Sequence, residues 1–79
     1  MTPRITRTMI ACLAGVRAVE KTGRPMPWAQ VERRYQRALG PDGRHWIEPT
    51  RDIPREARTT ERGLEVLAAY EMRRERECA

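Results

Sequence analysis

Apolar residues recur at spacings of three and four along the first quarter of the chain, where Ile5, Met9, Cys12, Leu13, Val16 and Val19 make one continuous stripe. That period belongs to an amphipathic α-helix, and the pattern predicts one from about Pro3 to Lys21. Thr2 stands at its N-cap, and Pro3 at the first helical position, where a missing N–H has no partner to lose. Ala11, Ala14 and Ala18 form a second, flatter face that lets another helix approach closely. Thr22-Gly23 closes the helix, because glycine readily takes the left-handed conformation of a C-cap.

Arg24-Pro25-Met26-Pro27 is a connector whose two prolines bias the preceding residues toward extended geometry. The segment from Trp28 to Leu39 then reads as one short helix with two faces. At about 100° per residue, Trp28, Val31, Tyr35 and Ala38 share a narrow apolar sector, Gln30, Arg33 and Arg37 lie across from it, and Arg34 sits at the edge. Gly40-Pro41 stops this helix, and Pro41-Asp42-Gly43 reads as a turn.

From Arg44 to Arg58 the helical period is lost. His45-Trp46-Ile47-Glu48 has strand composition, and Ile53 with Ala57 suits a returning strand, while Pro49 and Pro54 confine pairing to a short ribbon with edge character. A two-stranded hairpin with its loop around Pro49 to Ile53 is expected; an irregular arm is the alternative. Thr59-Thr60 caps a last helix, Glu61 to Glu77, with Leu64, Leu67, Val66 and Tyr70 facing inward. Its early Glu61 and Glu65 and its late Arg73, Arg74 and Arg76 complement the helix dipole. Residues 71–79 lack an apolar stripe and read as a solvated, frayed extension, with Tyr70 and Met72 available for a dimer contact. The expected fold class is mainly α, with three helices and a short two-stranded β-hairpin in one domain.

Seventy-nine residues lie near the lower limit for a single unstapled core. Cys12 falls among apolar helix positions and Cys78 beside the C-terminus, so a disulfide framework is not expected. His45 is the one histidine, and there is no CxxC or HxxxH spacing, so neither metal nor cofactor is expected. The chain has no serine for a nucleophile, and Gly40-Pro-Asp-Gly43 lacks the lysine and hydroxyl of a phosphate-binding loop. No catalytic constellation emerges, so the chain is not expected to be an enzyme. The longest apolar stretch, Met9 to Val16, is eight residues, too short for a membrane span and without a cleavage pattern. A soluble, cytoplasmic protein with no membrane partner is expected.

Charge adds direction. Residues 1–60 carry 12 Lys plus Arg against 6 Asp plus Glu, and residues 61–79 carry 4 against 5, within a net charge of +5. The excess lies entirely in the body, which suits a polyanion. Because 15 of the 16 basic residues are arginine, as a GC-rich genome alone would produce, the place of the charge is informative and the choice of arginine is not. Trp28 and Trp46 are expected in the core of a chain without phenylalanine, and His45 on a strand surface.

The order helix, helix, basic ribbon, helix, with Thr59-Thr60-Glu61-Arg62-Gly63-Leu64-Glu65-Val66-Leu67 leading out of the ribbon, resembles winged helix-turn-helix regulators of the kind found in phages and mobile elements. The local pattern covers residues 44–70; residues 3–39 agree by element order. The family places three helices before its wing, whereas one clear helix lies between Gly23 and Gly40. Two very short helices, Met26 to Val31 and Glu32 to Leu39, are the alternative, and the absence of a turn residue between them argues against it. The resemblance implies a small DNA-binding regulator of transcription, with the Trp28 helix in the recognition role and the segment around Arg51 and Arg55 as the wing. Gln30, Arg33 and Arg37 would meet the major groove and Arg34 a phosphate, while Arg44, Arg51, Arg55 and Arg58 would stand on the ribbon. Double-stranded DNA is then the expected partner, with a homodimer doubling the footprint. The competing reading is a small phage-type protein that binds and inhibits a host protein complex, such as a defence system that handles nucleic acid.

Overall fold

The computed structural model describes residues 5–78. Its elements run α1 (Arg7–Lys21), a single 3-10 turn (Trp28–Gln30), α2 (Arg33–Leu39), β1 (Ile47–Pro49), β2 (Ala57–Thr59) and α3 (Glu61–Cys78). This is the mainly α architecture with one small hairpin that the sequence predicts.

The first helix begins later than its apolar stripe suggests. Thr6 is the N-cap, held extended at φ −108° and ψ 161°, and its Oγ1 accepts the Met9 N–H at 3.2 Å. Ile5 therefore precedes the helix and is 50% exposed, while Thr2 and Pro3 lie outside the described residues. At the other end Gly23 adopts φ +86°, the left-handed closure expected of it. Met9, Ile10, Leu13 and Val16 are buried, and the alanine face of Ala11, Ala14 and Ala18 is exposed. β2, α2 and α3 all pack against α1. The core is completed by Val31, Leu39, Trp46, Ile47 and Ala57, with Trp28, Tyr35, Val66 and Leu67 partly buried against it. Both tryptophans thus serve the interior.

The helix predicted over Trp28 to Leu39 is broken. Val31 (φ −73°, ψ 125°) and Glu32 (φ −54°, ψ 138°) are extended, so a 3-10 turn and α2 stand apart with a two-residue bend between them. Neither conformation needs glycine, because both keep φ negative and only ψ departs from the helical value. Gln36 stabilises the bend: its Nε2 donates to the carbonyls of Trp28 and Val31, each at 2.9 Å. The Val31 carbonyl, which a continuous helix would have bonded, is thereby satisfied, and the Trp28 carbonyl, which also accepts the Val31 N–H at 3.1 Å, gains a second donor. Gln36→Leu should lower stability by about 1–2 kcal/mol, since the part-buried Val31 carbonyl loses its donor; thermal unfolding against the parent chain measures this.

β1 and β2 pair antiparallel in the register Ile47↔Thr59, Glu48↔Arg58, Pro49↔Ala57. β2 has a second neighbour, the extended segment before the 3-10 turn. Trp28 N donates to Arg55 O at 2.9 Å and Ala57 N to Met26 O at 2.7 Å, with Pro27 opposite Glu56. The start of β2 is therefore flanked on its other side by a single isolated bridge, and the sheet itself has two strands. Pro27 and Pro49 each face their partners across a pair that exchanges no direct hydrogen bond, so the donor each lacks would have pointed away from β2. Ile53 does not join the returning strand; it lies in the connecting loop and is 89% exposed.

The third helix is capped by Thr60, whose Oγ1 accepts the Gly63 N–H at 3.2 Å and donates to the His45 carbonyl at 2.5 Å. Thr60 N also donates to Trp46 O at 2.9 Å, which joins the helix start to the base of the hairpin. His45 holds φ +56° and is exposed in the connection to β1, rather than lying on the strand. Val66 and Leu67 face inward as expected, whereas Leu64 and Tyr70 are 39% and 38% exposed. The helix enters at an angle set by the Thr60 contacts, and its inward sector falls on 66 and 67.

Candidate nucleic-acid interface

The seven residues of α2 divide cleanly. Leu39 is buried, Tyr35, Gln36 and Ala38 are half-buried, and Arg33, Arg34 and Arg37 are exposed. Successive positions turn by about 100°, so the three arginines occupy one continuous outward sector. Every outward position of this helix is an arginine, and no carboxylate interrupts them.

Their surroundings differ. Arg34 Nε donates to Glu32 Oε2 at 2.8 Å, and its guanidinium lies 4.7 Å from the centre of the Tyr35 ring. Glu32 and Tyr35 thus fix its direction while leaving it exposed, an arrangement open to cation–π attraction. Arg33 and Arg37 form no ion pair among the described residues. Gln30 is exposed on the 3-10 turn and borders a groove against Ala11, Cys12 and Gly15 of α1. Burial raises the Cys12 thiol pKa, with Glu32 adding to the rise and Arg34 opposing it. The raised pKa favours the protonated thiol at neutral pH.

The basic residues of the ribbon separate into two groups. Arg51 and Arg55 are exposed in the loop, and the Arg55 carbonyl is hydrogen-bonded to the first residue of the 3-10 turn. The loop base and the turn leading into α2 are therefore one hydrogen-bonded unit. Arg44 is half-buried with its guanidinium 5.6 Å from the centre of the Trp46 ring. Arg58 is on the outer face of the sheet, in a groove shared with Glu48, Glu61 and Glu65. Those carboxylates lower the positive potential around it. Helical period placed Arg33 and Arg37 on the outward face, but it put Arg34 at the edge of the apolar sector and Gln30 on the same helix, where the structure has Arg34 exposed and Gln30 on the separate 3-10 turn. Local pattern could not separate Arg44 and Arg58 from Arg51 and Arg55, since tertiary neighbours make that distinction.

Among the described residues no three His, Cys, Asp or Glu side chains gather as a metal-holding group, and no helix is long and apolar enough to cross a membrane. The chain matches no known protein family, no curated protein and no solved structure.

Proposed function

We propose that this protein is a small DNA-binding regulator of transcription whose α2 lies in the major groove and whose 50–56 loop reaches the neighbouring backbone. The observation that carries this reading is the outward face of α2, made wholly of Arg33, Arg34 and Arg37 while its opposite face is locked into the core. Guanidinium groups presented this way pair with phosphates, and bidentately with the O6 and N7 of guanine. The winged-helix resemblance of residues 44–70 supports the same reading: by element order α2 would take the recognition role, and the segment around Arg51 and Arg55 would be the wing. Phosphate contacts by Arg34, Arg51 and Arg55 would set the register, leaving Arg33, Arg37 and Gln30 to read bases. Occlusion of a promoter, or recruitment to it, follows from such a contact. Dimerisation through the exposed alanine face of α1, or through α3, would double the footprint.

Salt dependence tests this directly. Binding to a labelled mixed-sequence 24-bp duplex should weaken with a slope of log affinity against log salt of about −2.7, the value for three neutralised phosphates. A slope flatter than about −1, or no binding at roughly 50 mM salt, overturns the reading.

A second reading, a protein that binds and inhibits a host complex, draws on a different observation. Ile5, Ile10, Val66, Ala69 and Tyr70 line an apolar groove between α1 and α3, bordered by Arg7 and Arg73. Such a groove suits an amphipathic helix with acidic flanks.

A further inference from the structure

We infer that a second copy of the chain pairs with this one across α3, the helices crossing at Ala69 with Glu65 of each against Arg73 of the other. Such a pair needs no DNA and does not rest on the DNA-binding reading. Glu65, Ala69 and Arg73 stand four residues apart, and all three are exposed. Residues at that spacing form one ridge along a helix, the ridge used when two helices cross at about 50°. This one is acidic at one end, small in the middle and basic at the other. A two-fold axis through Ala69 lays the ridge beside its own copy in the opposite direction, which makes two Glu65–Arg73 pairs. Within the chain neither side chain forms an ion pair among the described residues.

The flanks of the ridge are apolar. Val66 and Tyr70 lie on one side of it, in the groove between α1 and α3 that Ile5 and Ile10 also line, and Met72 lies on the other. Under the same axis each flank meets its own equivalent: Val66 and Tyr70 come against Val66 and Tyr70 of the second copy, and Met72 against Met72. Tyr70 is 38% and Met72 58% exposed in the single chain, so pairing removes apolar surface from water. Ala69 carries only a methyl group, which lets the two backbones approach at the crossing. Exposed ion pairs contribute little by themselves; here they fix direction and register, while apolar contact supplies the affinity. The exposed face of Ala11, Ala14 and Ala18 on α1 is the competing surface, and charge opposes it. A two-fold axis through Ala14 sets Arg7 opposite Lys21, and a parallel pairing sets each of them against its own equivalent. No residue of α2 lines the α1–α3 groove, so the contact does not draw on Arg33 or Arg37.

Sedimentation velocity of the full chain in the absence of DNA measures the pairing. The parent should be mainly dimeric at about 200 µM and mainly monomeric at about 2 µM, the weak end for an interface of modest size. Ala69→Arg should abolish the dimer. Arg73→Glu or Glu65→Arg alone brings like charges together twice and should weaken it at least about tenfold, whereas the two together should restore it to within about threefold of the parent. All three positions are exposed, so circular dichroism at about 2 µM should show the parent's helix content in every variant. A parent that stays monomeric at about 200 µM, a dimer that survives Ala69→Arg, or a double variant as weak as the single ones overturns the pairing. With no DNA present, none of these outcomes touches the α2 reading.

Discussion

Gly63→Ala should destabilise the domain by about 3 kcal/mol, lowering the melting temperature by roughly 15 °C. The glycine lies in the first turn of α3, where a Cβ would stand 2.3 Å from the Trp46 carbonyl oxygen and 3.0 Å from Thr59 Cγ2. The obstacle is backbone, and that backbone accepts the Thr60 N–H and is followed directly by β1. Relief requires α3 to move off the hairpin, which breaks the cap and draws Val66 and Leu67 out of the core. Alanine's higher helix propensity recovers only about 1 kcal/mol of this. Gly15 is the matched control: it is exposed inside α1, with nothing within 4 Å of a Cβ. Gly15→Ala should raise stability by about 0.5–1 kcal/mol. Equal effects at the two sites, measured by thermal denaturation, would refute the close packing described for Gly63.

Arg33→Ala with Arg37→Ala should reduce affinity for a preferred duplex by about 100-fold while changing the salt slope by less than about 1, because the phosphate contacts remain. Both side chains are exposed and without ion pairs among the described residues, and alanine favours the helix, so stability should shift by no more than about 0.5 kcal/mol. A loss of binding in a domain that melts as before is then a loss of contact. Arg58→Ala is the internal comparison, because its groove contains Glu48, Glu61 and Glu65; it should weaken binding by no more than about threefold. The lysine pair, Arg33→Lys with Arg37→Lys, separates two kinds of contact. It keeps the charge and the slope but removes the planar fork, so discrimination between duplexes should fall while non-specific affinity remains. If all three variants bind alike, α2 is not the contact surface.

Much of the framework was legible from local chemistry. The Gly23 closure and the Thr60 cap depend on residues close in sequence and appear where their patterns stand; the α1 stripe and the proline-limited ribbon appear as well, without Ile5 in the helix and without Ile53 in the returning strand. The bend at Val31 and Glu32 was not legible, because extended backbone at negative φ needs neither glycine nor proline and so leaves no mark. The residue that stabilises it, Gln36, reads in sequence as one more polar helical position. The pairing of the Pro27 segment with β2 joins residues nearly thirty positions apart, and no local pattern announces it. The start of α1 was misplaced because two threonines, Thr2 and Thr6, both suit a cap. Within the candidate site, helical period identified Arg33 and Arg37 as outward, whereas the neighbours of Arg34, Arg44 and Arg58 could be known only from the fold.

The two prolines flanking β2 have a consequence for self-association. Sheet edges ordinarily invite another chain to add a strand, since they present unpaired N–H and C=O groups. Here each outer edge presents a pyrrolidine ring where a donor would be, at Pro27 on one side and Pro49 on the other. Neither edge can accept a foreign strand in continuous register, so the small sheet is protected against edge-to-edge aggregation.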